Sequence, residues 1–198
     1  PVPYWALQFN PDHSVRDWTP VILETLQSAS VEMSFADVPV GAFLSGGVDS
    51  SSVTAALHRA GRNVNTFTVG FEEQEYDERP WARQVAEQYR TSHIERLVQA
   101  EDVTSVFDKM LWHYDEPFND YSYLPTYYVC REARKSITVA LSGDGGDELF
   151  AGYRKYQRLS LRHTADQFLP TALRPLLLSG SESLLPETNR FRRTLRQY

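Results

Sequence analysis

The hardest constraint on this chain is how abruptly its first apolar run stops. Val38-Pro-Val-Gly-Ala-Phe-Leu44 has the length of a buried strand, and Ser45-Gly46-Gly47 ends it at once. Ser50 to Arg59 then reads as helix. A strand apolar on both faces that passes straight into a helix belongs to a parallel sheet covered by helices. The rest of the chain repeats the alternation. Asn65 to Phe71 and His93 to Val98 read as strands, and Ile137 to Leu141 is a β-branched run typical of a buried one. Between them lie helical spacings: Val15, Trp18, Ile22, Leu26 and Ala29 over 15–33; Ala82, Val85, Ala86 and Tyr89 behind a cap at Asp77; Val103, Val106, Phe107, Met110 and Leu111; and a helix over Ser122 to Lys135. The fold class is α/β, a parallel sheet with helices on both faces. Ligands of such sheets bind at the carboxyl ends of the strands. Both glycine-rich segments of the sequence fall at such ends.

At 198 residues, with 41 % hydrophobic and 13 % aromatic content, the chain can pack one ordinary domain. No stretch approaches the roughly 18 apolar residues of a membrane span, and Pro1-Val2-Pro3-Tyr4-Trp5 does not resemble a signal peptide. The single cysteine, Cys130, excludes an internal disulfide and suits a cytoplasmic setting. A buried structural thiol is the expectation for it. The net charge of -6 conceals an acidic body over 1–150 and a basic segment over 151–198. That acidic body argues against nucleic acid, whose phosphates need clustered Lys and Arg. Residues 1–13 read as a linker, residues 14–156 as the main domain, and residues 157–198 as a helical part cut from something longer.

The first loop is Ser45-Gly46-Gly47-Val48-Asp49-Ser50-Ser51. Its glycines let backbone N–H groups converge, and the helix behind adds a positive dipole end, so the loop suits phosphate. It has no lysine and matches neither G-x-x-x-x-G-K-[ST] nor G-x-G-x-x-G. Asp49 would repel a bare phosphate but would hold one through Mg²⁺. The plain alternative is a serine-capped helix entry after a tight turn. The second loop, Leu141-Ser-Gly-Asp-Gly-Gly-Asp-Glu-Leu-Phe-Ala-Gly-Tyr153, sets Asp144, Asp147 and Glu148 among glycines. A solvated acidic turn is its plain alternative.

Ser-Gly-Gly-x-Asp-Ser resembles the pyrophosphate loop of the N-type ATP pyrophosphatases, which include asparagine, GMP, NAD and argininosuccinate synthetases. The second loop resembles the second signature of the glutamine-dependent asparagine synthetases. Thr66-Phe-Thr-Val-Gly-Phe71, Tyr76-Asp-Glu78 and Asp115-Glu-Pro117 are similar to further landmarks of that family. The resemblance runs in order from residue 4 to about residue 156. It implies an adenine nucleotide alpha-hydrolase-like (PP-loop ATPase) fold with a five-stranded parallel sheet and an incomplete helical region after it.

By matched position the resemblance implies that Leu44, Val69, Ser142 and Gly143 contact adenine and ribose. Ser45, Gly46, Gly47, Ser50 and Ser51 would hold the β- and γ-phosphates of ATP, and Asp49 and Asp147 would share Mg²⁺. Asp144 stands where the family has an acidic residue facing the acyl-adenylate. The turn would aim it at neither the nucleotide nor the metal. The β-lactam synthetase branch has Tyr there, so Asp144 counts against that branch. Asp115 and Ser122 are candidates for the substrate side, with an Asx-type turn before a Ser122 cap as the alternative. The implied reaction adenylates aspartate or a similar carboxylate and then amidates it with ammonia from glutamine. That ammonia would come from a glutaminase domain absent from these residues, and a catalytic lysine would lie downstream. The resemblance also allows a homodimer.

Three other readings stay open: amidation of a different carboxylate in a surface-sugar or antibiotic pathway, a tRNA-modifying PP-loop enzyme, and a nucleotide-binding module without catalysis. His13, His58, His93, His113 and His163 show no metal-ligand spacing. The aromatics of 112–128 are expected to pack in core and interface rather than stack on bases.

Overall fold

The structure, a computed structural model, describes residues 4, 6, 14–116, 120, 122–153, 155–156, 159–160 and 163. The expected linker over 1–13 and the helical part over 157–198 lie largely outside them. The described elements are α1 (Thr19–Met33), β1 (Val40–Phe43), α2 (Val48–Arg59), β2 (Asn65–Phe71), α3 (Arg79–Gln88), β3 (Ser92–Val98), α4 (Ala100–Tyr114), α5 (Tyr123–Ala133), β4 (Val139–Leu141) and α6 (Gly146–Phe150).

The four strands form one sheet in the order β3-β2-β1-β4, and every pairing is parallel. Four strands, not the five implied by the resemblance, are found among the described residues. Alternation along each strand divides the core between two faces. On one face Ala42 packs with Val53, Leu57 and Val64, and Leu44 packs with Ala82 and Ala86, so α2 and α3 lie there with α1 outside α2. On the other face Phe67 meets Ala133 and Ile137, and Val98 meets Val106, Met110 and Tyr128 under α4 and α5.

Element ends follow local chemistry. α1 begins at Thr19 and not at Val15, because Pro20 occupies its first turn, where a missing N–H costs nothing. α2 begins two residues before Ser50, which places Asp49 in its first turn. Glu78, not Asp77, is the residue flanking α3, although the Asp77 carboxylate still accepts the Arg79 amide at 3.2 Å. Cys130 contradicts its expectation, since it is exposed. Tyr128, fully buried, takes the inward position of α5 instead. The aromatic segment divides likewise: Trp112 is 84 % exposed, whereas Tyr114, Tyr123 and Tyr127 pack against the buried cluster.

Candidate functional site

The first loop is shaped by its neighbours. Gly46 has φ +79°, a left-handed conformation that side chains disfavour. A Cβ there would also fall 2.5 Å from Trp81 Cβ and 2.7 Å from the Ala82 nitrogen, so the start of α3 presses directly on the loop. The Ser45 amide donates to Ser50 Oγ at 3.2 Å, the two hydroxyls share a hydrogen bond of 3.0 Å, and the Gly47 amide donates to Ser45 Oγ at 3.3 Å. α2 then opens at Gly47 with no side chain capping its amides. The first N–H groups of a helix have no partner within it, and an anion satisfies them. The serine-cap alternative therefore does not describe this helix start.

Ser51 departs from the group. Its hydroxyl is buried without a hydrogen-bond partner and lines a groove between α1 and α2 with Leu23, Leu26 and Gln27. The sequence string put Ser51 beside Ser50, but a helical step of one residue turns it to a different face.

The second loop lies against the first. A Cβ on Gly143 would fall 2.7 Å from the Ser50 nitrogen and 2.8 Å from Asp49 Cβ, and one on Gly146 would fall 2.7 Å from each Asp49 carboxylate oxygen. The Asp49 carboxylate thus rests on the residue preceding Asp147. Asp147 itself turns toward Gly152, whose missing Cβ leaves room for its carboxylate. Among the described residues no cluster of three or more His, Cys, Asp or Glu could hold a metal alone. Two carboxylates from facing loops still suit magnesium, which is held by one or two carboxylates, substrate phosphates and water.

Asp144 is tied back to the start of its own loop. Ser142 Oγ donates to Asp144 Oδ2 at 2.9 Å, and the Asp144 amide approaches Ser142 Oγ at 3.5 Å. A short acid two residues beyond a serine folds back on it, a local turn that the glycine spacing hid. Beyond α6, Tyr153 donates to Glu148 Oε1 at 2.6 Å. Chiefly through this hydrogen bond, the phenol is pushed up to about 12 and the carboxyl is held below its ordinary value.

Beside these loops a cavity of about 320 Å³ opens between the ends of β1 and β2 and the start of α5. Leu44, Ser45 and Val69 line it; Ser142 and Gly143 do not. Neither Asp115 nor Ser122 lines it either. Asp115 ends α4 in a left-handed turn, and the Ser122 amide donates to Asp120 Oδ1 at 2.8 Å, the Asx turn of the alternative. Lining residues that the sequence did not flag include Thr68, Phe71, Pro125, Thr126 and Val129. The signal for the last three was a helical stripe inside an aromatic segment, which reads as core.

The family described as asparagine synthase matches residues 22–197. Asparagine synthetase [glutamine-hydrolyzing] 1 of Bacillus subtilis is 39 % identical over 161 residues, 81 % of this chain and 25 % of that protein. Putative asparagine synthetase [glutamine-hydrolyzing] 2 of Methanocaldococcus jannaschii is 49 % identical over 120 residues, 60 % of this chain and 23 % of that one. The amidase chyE of Penicillium rubens is 32 % identical over 179 residues, 78 % of this chain and 26 % of that protein. The chain spans about a quarter of the length of these relatives. A strand followed by an uncapped helix start, a second glycine loop laid across it, and a match over nearly the whole sequence lead to one assignment: this chain belongs to the asparagine synthase family.

Proposed function

We propose that this chain binds Mg-ATP and adenylates the side-chain carboxylate of aspartate, which ammonia from glutamine then converts to asparagine. The observation that carries this is the packing of Gly143 and Gly146 onto Asp49 and the Ser50 amide, which gathers both loops at one helix start. A carboxylate oxygen attacks the α-phosphorus, the bond to the β-phosphate oxygen breaks, and pyrophosphate leaves. Ammonia then attacks the acyl carbon and gives up a proton to solvent, and AMP departs with the bonding electrons. The unpaired amides of α2 hold the leaving pyrophosphate. Asp49 and Asp147 hold Mg²⁺, which when bound neutralises charge on that pyrophosphate. The cavity at Leu44 and Val69 takes the base. Asp144 serves the acyl side after releasing Ser142. Ammonia arrives from a glutaminase domain beyond these residues, and the reaction runs in the cytoplasm.

The test is product analysis of the longer protein with ATP, magnesium, aspartate and ammonia. AMP and pyrophosphate should form in step with asparagine. Release of ADP and orthophosphate would exclude adenylation. Asp144→Ala should keep ATP affinity and lose amide formation; a variant that loses ATP binding would move Asp144 to the nucleotide side.

The match to the amidase chyE supports a second reading, amidation of a carboxylate other than aspartate. The same assay with a panel of carboxylic acids separates the two: a better substrate than aspartate decides for the second.

A further inference from the structure

The joint between β2 and α3 touches both ends of the candidate nucleotide site. Tyr76 and Glu78 line the cavity beside Leu44 and Val69. A few residues on, the backbone of Trp81 and Ala82 presses on Gly46. Between these two contacts lies an ion pair. Arg79 Nε donates to Asp77 Oδ1 at 2.8 Å and Nη2 to Oδ2 at 2.9 Å, a two-pronged geometry that holds both side chains in one orientation.

The pair is seated on the strand. A Cβ on Gly70 of β2 would collide with Asp77 Oδ1 and fall 2.5 Å from Arg79 Nε and 2.8 Å from its Cδ. Only 24 % of the Arg79 side chain and 15 % of that of Asp77 are exposed. Capping the start of α3 accounts for the Asp77 contact with the Arg79 amide. It does not account for the guanidinium, which a cap does not need, nor for a strand residue stripped of its side chain beneath it.

We infer that Asp77 and Arg79, laid on Gly70, form a positioning clasp that sets the distance between the base cavity and the phosphate loop. This rests on the nucleotide reading above. Holding Asp77 fixes its neighbours Tyr76 and Glu78 at the cavity mouth; holding Arg79 fixes the turn that carries Trp81 onto Gly46. The clasp therefore governs how well a nucleotide spans the two, and which base fits.

The experiment measures affinities of the full chain for Mg-ATP and Mg-GTP by calorimetry, beside its melting temperature without ligand. Arg79→Met keeps the backbone amide that Asp77 caps but removes the fork. It should weaken ATP about tenfold and contract the preference for ATP over GTP, a change in base preference that loss of stability alone, read from the melting temperature, would not bring. Asp77→Ala removes cap and clasp together and should add a loss in melting temperature. Arg79→Lys, which keeps the charge, should fall between parent and Arg79→Met. If Arg79→Met and Arg79→Lys both bind ATP and GTP as the parent does, the pair is only a helix cap and the inference is overturned. If the parent itself binds no ATP, the nucleotide reading fails and the clasp falls with it.

Discussion

The two glycine loops sit at neighbouring strand ends, yet they are held differently. The first has its own bond between the Ser45 and Ser50 hydroxyls and is also gripped from outside, where α3 presses on Gly46, and Ser50 is buried. The second is held mainly by its own bonds, Ser142 to Asp144 and Tyr153 to Glu148, and α6 leaves Leu149 80 % and Phe150 61 % exposed. Its described outside hold is the contact of Gly143 and Gly146 with the first loop. On the function proposed above, the first loop would gain from rigidity, because amides that are already aligned need no reorganisation when charge arrives. The second, facing a changing acyl group, would gain from being able to rearrange.

One alanine placed in each loop should give the largest difference between them. Gly46→Ala meets both a left-handed backbone and the wall of α3, so it should abolish measurable ATP binding and lower the melting temperature by several degrees. Gly145→Ala also has positive φ, +91°, but nothing stands within 4 Å of its Cβ. It should cost about 1–2 kcal/mol of backbone strain and leave ATP binding in place. Equal losses of affinity in a titration of the two variants would erase the distinction between loops.

A smaller effect separates the two acids. Asp49→Asn and Asp147→Asn should each weaken Mg-pyrophosphate without unfolding the chain, by about tenfold for Asp49, roughly one charge-assisted interaction. Asp147, turned toward Gly152, should cost less. A calorimetric titration in which either variant binds as tightly as the parent removes that residue from the ion.

The smallest effect sharpens the claim that the second loop ties itself. The folded Tyr153 phenol titrates at about 12, above its ordinary value. A raised folded value favours the protonated form, so this bond's contribution is complete below about pH 10 and fades as pH climbs toward 12. Near-ultraviolet titration of the parent should show a late tyrosine component, and Glu148→Gln should move it to lower pH. A titration curve identical in the two proteins would mean the bond is not made in solution.

What was legible in the sequence, and what was not, follows the same division. β1, β2 and β4 could be read from their apolar or β-branched runs, β3 from its place in the alternation despite His93, Glu95 and Arg96, and both loops from glycines and acids, because these features are written in consecutive residues. Side-chain direction was not. Ser51 points into the groove beside α1, Cys130 faces outward, and Asp144 bends back to Ser142. Each depends on which neighbour packs against an element, or on a hydroxyl within reach, and neither appears in a periodic pattern. The part played by α5 in the cavity was hidden for a related reason. Pro125, Thr126 and Val129 lie on a helix that packs on the sheet, and only the cavity at the ends of β1 and β2 shows that they also line a space. Asp77 showed only as a helix cap and Arg79 not at all, since the seat of the pair on Gly70 comes from a strand earlier in the chain.

The sheet order has a consequence for how the site comes into being. β1 pairs with β4 in the register Val40 to Val139, across roughly a hundred residues of intervening chain. Closing so long a span costs entropy that must be met before the pairing returns anything, and such contacts slow folding. The first loop can take shape once β1, β2 and α3 meet, but its partner reaches it only when β4 docks. A chain emerging from the ribosome would thus carry the first loop and Asp49 well before Asp147 can reach them. On the function proposed above, the rise of nucleotide affinity during refolding would time the docking of β4.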